Sequence, residues 1–387
     1  MENPKNKNLK KTISLEGISF LIIIFFVFSV FIYKMGTVNF INTVFNTSFK
    51  LLTETVLYLT AITVVTGGLI GILNEFGITA ILNKLFSPFM RPLFGMPGAG
   101  VIGVITTYFS DNPAILALGK DPNFTRYFKK YQLPAIVNMG TGFGMGLIIT
   151  LFMIGLKSPD GENFFIPVLI GNVAAIIGTI VSTRLMLAKA KKLYGKEECS
   201  NNNENFEYDI LEYREVREGN ISQRFLAAML EGGASGIDVG VSIIPGVLIT
   251  STFVMLLTYG PGQNGYTGEA FQGIQLLPWI GNKLSFIINP LFGFKSAQNI
   301  AVPITALGAS SASMSIIPSL LKQGLLKGND IAVFTAMCMC LSGYLSTHVA
   351  MMNTMNFKEL TGRAILSHTI GAIFAGTFAH IFCLLIL

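Results

Sequence analysis

Seven apolar runs dominate the chain, at roughly 17–35, 51–73, 132–156, 164–187, 236–258, 331–355 and 364–386. Each is close to the ~20 residues a helix needs to cross a ~30 Å hydrocarbon core. A helix satisfies its own backbone hydrogen bonds in lipid, so the chain reads as an all-α polytopic membrane protein. Composition agrees, with 51% of residues hydrophobic and only 12% charged. The net charge of +6 would suggest a nucleic-acid partner in a soluble protein, but here the basic residues cluster between apolar runs, where they set orientation. No nucleic acid is therefore expected. Cys199, Cys338, Cys340 and Cys383 are scattered, in a spacing that suggests neither zinc nor a disulfide framework. The opening "MENPKNKNLKK" precedes an apolar run without a small-residue cleavage site, since Tyr33, Lys34 and Met35 occupy its place. Residues 1–44 are read as a cytoplasmic N-terminus and a first transmembrane helix.

Two further apolar segments, 96–120 and 295–320, are interrupted by polar residues and proline. If 96–120 crossed the membrane, Lys120, Arg126, Lys129 and Lys130 would lie outside, together with the linker lysines and arginines from Lys189 to Arg217. That arrangement opposes the positive-inside rule, whereas a re-entrant hairpin keeps all of these groups with the basic N-terminus. The tip of this hairpin, "YFSDNP", then sits where non-helical backbone is tolerated only against protein or a water-filled cavity. Whether 295–320 spans or re-enters is left open by charge alone.

The stretch "NKLFSPFMRPLFG" (Asn83–Gly95) is echoed by "NKLSFIINPLFG" (Asn282–Gly293), and "AAIIGTIVS" (Ala174–Ser182) by "GAIFAGTFA" (Gly371–Ala379). Between these echoes the features recur in one order: an interfacial amphipathic helix, a hairpin with a polar tip, a polar loop and two spans. The expected organisation is a repeat over 45–188, a cytoplasmic polar linker over 189–220, read as a flexible connector with "DILEYREVRE" as an alternative short surface helix, and a second repeat over 221–387. An odd number of crossings separates the copies, so they are expected in inverted topology, each with an interfacial helix, a re-entrant hairpin and broken or spanning helices. Secondary transporters are commonly built in this way.

The duplicated unit resembles the nucleoside-recognition, or Gate, domain of bacterial membrane proteins. It is more distantly similar to concentrative nucleoside transporters and to spore-maturation membrane proteins. The stretches "YLSTHVAMMNTMN" (Tyr344–Asn356) and "LSHTIGAIFAG" also resemble the C-terminal part of ethanolamine-utilisation membrane transporters. The resemblance spans roughly residues 45–387. It implies a secondary active transporter of a small polar, nucleoside-like or amine-like solute, a symporter working by alternating access in a bacterial cytoplasmic membrane. It also implies no cofactor beyond a coupling Na⁺ or H⁺, and partners limited to the solute, membrane lipid and further copies of the chain. Nucleoside transporters carry a Gln-Thr-Glu group in the first hairpin, and this chain has Ser110, Asp111 and Asn112 instead. The spore-maturation resemblance implies a different role, a non-transporting scaffold or signalling component.

Candidate binding residues follow from polarity at membrane depth. Asp111 can meet a cationic group, an ion or a proton, or it can cap the second hairpin arm. Ser110 and Asn112 flank it. Asn138 and Thr141 lie in "NMGTGFGMG", whose glycines favour either an unwound helix or close packing. Ser310, Ser311 and Ser313 mark the second tip, where serines also bond their own backbone. Ser346, His348 and Asn353 follow in the next span, with His348 open to proton relay or to a structural hydrogen bond. Glu54 and Glu231 are expected at the mouths of their spans, and His368 and His380 in structural roles. No triad, phosphate loop or His-Glu-x-x-His motif is present in the sequence, and an enzyme is not expected.

Overall fold

A computed structural model describes residues 13–120, 122–195 and 212–387, whose regular elements are helices, with an isolated bridge between Gly262 and Gly265. Helix α1 (Leu15–Met35) starts at Ser14, whose hydroxyl accepts the Gly17 amide at 3.2 Å, and stops at Gly36. Most of its large side chains are exposed, the surface that a lone helix presents to lipid.

The second span begins well before its apolar run. Helix α2 (Thr37–Lys50) passes through a π-helical turn at Leu51–Val56 into α3 (Leu57–Glu75), one path of 39 residues. Its polar first half is held by a distant loop: Asn39 and Asn46 donate to the carbonyls of Tyr266 and Gly268, each at 2.8 Å, and Thr47 Oγ1 accepts the Phe271 amide at 3.0 Å. Glu54 therefore falls near the middle of the path and not at its mouth. The span expected at 236–258 likewise starts early, at α11 (Ile221–Ser242) behind an Asn220–Gln223 capping box, and continues through a π turn at Gly246–Ser251 into α12 (Thr252–Thr258).

These two paths lie antiparallel. Gly71 meets Ala228, Gly67 meets Gly232, Gly236 meets Thr63, and Ser48 meets Thr252. A Cβ on Gly67 would stand 2.3 Å from the Gly232 carbonyl oxygen, and one on Gly232 2.2 Å from that of Gly67. Such contact between backbones is open only to small residues and supplies the packing that holds helices together in lipid.

Most of the remaining elements occur twice. Helix α4 (Ile78–Phe89) runs through a π turn at Met90–Phe94 and ends on Gly95 at φ 73°. Later, α13 (Leu276–Lys283) and α14 (Ser285–Phe292) end on Gly293 at φ 66°. The repeated Pro-Leu-Phe-Gly thus supplies in both places the glycine that a left-handed helix stop requires. Helices α5 (Gly100–Phe109) and α6 (Asn112–Lys120), before the short α7 (Pro122–Thr125), form the first hairpin. Helices α15 (Ala301–Ala306) and α16 (Ser310–Lys322) form the second. The expected spans at 132–156 and 331–355 are each two helices: α8 (Leu133–Thr141) and α9 (Gly146–Gly155), and α17 (Gly328–Cys340) and α18 (Tyr344–Thr354). Last in each half come α10 (Phe165–Tyr194) and α19 (Thr361–Ile386), which cross antiparallel at Gly178 and Gly371.

Loop contacts sort the chain into two ends. Tyr194 donates to Glu359, and Arg217 reaches Glu75, at one end; Lys327 pairs with Asp160 at 2.5 Å, and Asn39 with the Tyr266 loop, at the other. The Asp160 carboxylate holds the Lys327 ammonium above the usual lysine range. The alternative surface helix at "DILEYREVRE" is corrected. Its first three residues lie outside the described ones, and Glu212–Glu218 is not helical. Arg214 and Arg217 instead turn inward, to the Glu75 carbonyl at 3.3 Å and the Glu75 carboxylate at 2.5 Å.

Candidate solute site

The first hairpin turns where Asp111 precedes α6. Its Oδ1 accepts the Asn112 amide at 2.7 Å and Asn112 Nδ2 at 2.9 Å, so the carboxylate satisfies the first free amide of the second arm. Asn112 Nδ2 also donates to Ser342 Oγ at 3.0 Å, while Asn112 Oδ1 is buried without a protein partner. Ser342 belongs to Leu341–Gly343, the break between α17 and α18. The break between α8 and α9, Gly142–Met145, closes on the same point: a Cβ on Gly144 would lie 2.7 Å from Ser342 Cβ and 2.8 Å from the Asn112 amide atoms. The tip therefore sits between two interrupted helices, one from each half, whose ends carry backbone groups without intrahelical partners.

A second polar group lies behind it. Asn138, fully buried, donates to Ser182 Oγ and to the Ala364 carbonyl, each at 2.9 Å, and its Oδ1 has no protein partner. His368 joins this group through Ser182 Oγ at 3.2 Å and also contacts the Cys340 carbonyl. The His348 ring centroid lies 4.7 Å from that of His368; His348 Nδ1 meets the Tyr344 carbonyl at 2.5 Å, and its Nε2 is unpartnered. Thr141 Oγ1 bonds its own helix, to the Val137 carbonyl at 2.7 Å.

The serines of the second tip point elsewhere. Ser310 Oγ donates to the Cys338 carbonyl at 2.5 Å, and Ser313 Oγ lies 2.7 Å from the Ser310 carbonyl and 3.0 Å from Cys338 Sγ. Ser311 is buried. Among the described residues, no hydrogen bond joins this tip to the first. Asn353 is exposed, and the Ser346 side chain is outside what the structure describes. The sequence candidates thus separate into a first-tip cluster, a group in which Asn138 and His348 both adjoin His368, and a second tip whose Ser310 and Ser313 bond Cys338 of α17.

A cavity of about 590 Å³ leads to the first tip. It runs between the α3–α11 crossing and the hairpin, with Ser110 and Phe109 at one end and Arg217 and Glu231 at the other. Its wall carries neutral polar groups from Thr63, Asn74, Asn83 and Thr106. At the Arg217 end an ion network borders the cavity. Glu75, whose side chain is 2% exposed, holds Arg217 at 2.5 Å and Arg224 at 2.7 Å, and Arg217 also reaches Glu231 at 2.5 Å. The carboxylate of Glu231, and then that of Glu75, keeps the Arg217 guanidinium more firmly protonated than usual.

With that geometry in view, comparison with solved structures identifies the architecture. Structures of CNTnw, a concentrative nucleoside transporter, superpose on this chain. The inward-facing substrate-bound state matches at a TM-score of 0.54 and 13% identity, over 84% of this chain and 74% of that one. A doubly substituted variant in an outward-facing state matches at 0.55 and 14%, over 96% and 88%, and an intermediate state at 0.54 and 14%, over 95% and 85%. This chain shares the fold of those transporters. No family model matches the sequence, nor does any curated protein.

Sequence reasoning missed Ser342, Ser182 and the linker arginines. Ser342 had one local signal, its place beside Gly343 within an apolar run, where a φ of 61° breaks the helix. Ser182 had none, since a serine inside a long apolar helix is ordinarily bonded to its own backbone.

Proposed function

We propose that the chain is a secondary active transporter that carries a small polar solute across the membrane by alternating access, coupled to Na⁺ or H⁺. The observation that carries this reading is the cavity from the Arg217–Glu231 rim to Ser110, about half polar in its lining, whose far end adjoins the Asp111–Asn112–Ser342 cluster. A scaffold has no need of a polar path to membrane depth, where every polar group is costly. Asp111 supplies the charge for the coupling ion or for a cationic part of the solute. The unpartnered oxygens of Asn112 and Asn138 supply neutral ligands.

The two halves are read as inverted repeats, 45–188 and 221–387, joined by the linker 189–220. Supporting this are the antiparallel pairing of α3 with α11 and of α10 with α19, and the recurrence of surface helix, hairpin and broken helix in each half. The end with the linker is taken as cytoplasmic on its basic charge, with the N-terminus on the same side, in a bacterial cytoplasmic membrane. The solute is read as nucleoside-like or amine-like, from the resemblance of the repeated unit together with the CNTnw likeness. The test is uptake by purified protein in liposomes, against panels of nucleosides, amines and amino acids under imposed Na⁺ or pH gradients. Gradient-dependent accumulation of one class is expected, and no uptake or binding across the panel would return the chain to the scaffold reading.

A further inference from the structure

A second cavity, of about 480 Å³, lies beneath α4, and its lining is nearly all apolar. Its outer edge is formed by Phe86, Phe89 and Leu93, which are 43%, 53% and 41% exposed on the interfacial helix. Its floor is formed by Phe143, in the α8–α9 break, and Met339. The polar lining groups are already paired: Tyr108 donates to Asn172 Oδ1 at 3.0 Å, and Asn172 Nδ2 to Thr150 Oγ1 at 3.0 Å. A water-soluble polar ligand would find no open partner here, and a hydrocarbon chain would.

The rim adds a charge. Arg184, exposed on α10, donates to the carbonyls of Pro92 (Nη2) and Leu93 (Nε, 2.8 Å), and so is pinned beside the mouth with two of its five N–H groups engaged. Arg91 and Lys84 are exposed on the neighbouring turns, and neither 78–110 nor α10 contains an aspartate or a glutamate. Along α10, Arg184 and the lining residue Asn172 are twelve positions apart, about 18 Å at 1.5 Å per residue. That is close to the depth of one leaflet of a ~30 Å core.

We propose that this cavity holds one acyl chain of an anionic phospholipid, with the headgroup at Arg184 and Arg91. Basic pockets between membrane helices are suited to such headgroups. The bound chain packs against the hairpin arm α5 and reaches the α8–α9 break at Phe143. The inference concerns a cavity on the other side of the Ile105 side chain, which lines both, and does not depend on the identity of the solute.

The test uses tryptophan quenching by phosphatidylglycerol brominated on one chain, titrated into phosphatidylcholine bilayers that hold the full-length protein. The native Trp279, 60% exposed on the other interfacial helix α13, serves as reference. The reporter is Phe86→Trp in a Trp279→Phe background. Half-quenching of the reporter is expected at a mole fraction of brominated lipid about fivefold lower than for Trp279, the factor that one basic group near the surface contributes. Brominated phosphatidylcholine should quench both tryptophans alike. Val104→Phe, which fills the cavity, should return the reporter to the Trp279 curve. Val101→Met fills it from one turn away if that variant does not fold. Coincident curves for the two tryptophans, or a shift that survives filling of the cavity, would overturn the proposal.

Discussion

Asn112 in the first hairpin tip donates from Nδ2 to Ser342 Oγ, 3.0 Å away, across a sequence separation of 230 residues. That bond ties the hairpin of one half to the helix break of the other, and it places the Asp111 carboxylate at their junction. Movement of the hairpin against α17 and α18 must break or carry this contact.

Asp111→Asn keeps the size and capping ability of the side chain while removing its charge. Losing a charge-assisted contact in a shielded site costs about 1.5–3 kcal/mol, so uptake should fall roughly ten- to a hundredfold, or lose its Na⁺ or pH dependence. Circular dichroism and size-exclusion profiles should match wild type. Unchanged uptake with unchanged ion dependence would reduce Asp111 to a cap.

The Glu75 network predicts an order of stabilities. Arg224, whose side chain is 19% exposed, and Arg217, at 36%, share a carboxylate that is almost fully enclosed. Arg224→Ala should lower the melting temperature more than Arg217→Ala, because the more shielded partner is the less replaceable by water. Glu231→Gln should leave stability near wild type while loosening Arg217, read as faster labelling of a cysteine placed at Thr106 in the cavity wall. Equal melting temperatures for the two arginine variants would show that the linker contributes as much to stability as α11.

The helix crossings give a steric prediction. Gly178→Ala would place a Cβ 2.4 Å from the Gly371 carbonyl oxygen, and Gly67→Ala one 2.3 Å from that of Gly232, both against backbone that cannot turn aside. Both variants should show low yield of folded protein. Gly362→Ala, where nothing lies within 4 Å, should stay within about 1 kcal/mol of wild type, the helix propensity difference alone. Comparable yields for all three would mean that the crossings can slide apart.

His368 is held through both ring nitrogens, to Ser182 Oγ and the Cys340 carbonyl. His368→Ala should destabilise the protein by about 1–3 kcal/mol for each buried group left unpaired, measured as a lower thermal midpoint. His348→Phe, which removes a single partnered nitrogen, should cost less. The reverse order would reassign the structural role.

Sidedness is testable by reagent access. With native cysteines replaced, Lys192→Cys and Asn264→Cys should be labelled by a membrane-impermeant thiol reagent from opposite faces. Labelling from one face would overturn the proposed inverted-repeat arrangement.

The sequence by itself determined the membrane class and most of the spans, because lipid leaves an apolar helix no alternative way to satisfy its backbone. It also displayed the repeated Pro-Leu-Phe-Gly, whose glycines the structure uses as helix stops at Gly95 and Gly293, in the left-handed region that glycine enters without strain. The first hairpin tip was legible because Asp111 and Pro113 interrupt an apolar run. The early starts at Thr37 and Ile221 were not, because Asn39, Asn46 and Arg224 look like loop residues until the Tyr266 loop and Glu75 supply their partners. The tertiary structure alone decided that Asn112 meets Ser342, that Asn138 shares Ser182 with His368, and that the second-tip serines are spent on their own neighbourhood. A hydrogen bond depends on two groups arriving within about 3 Å, and for residues some 200 positions apart only the packing of the two halves brings them there.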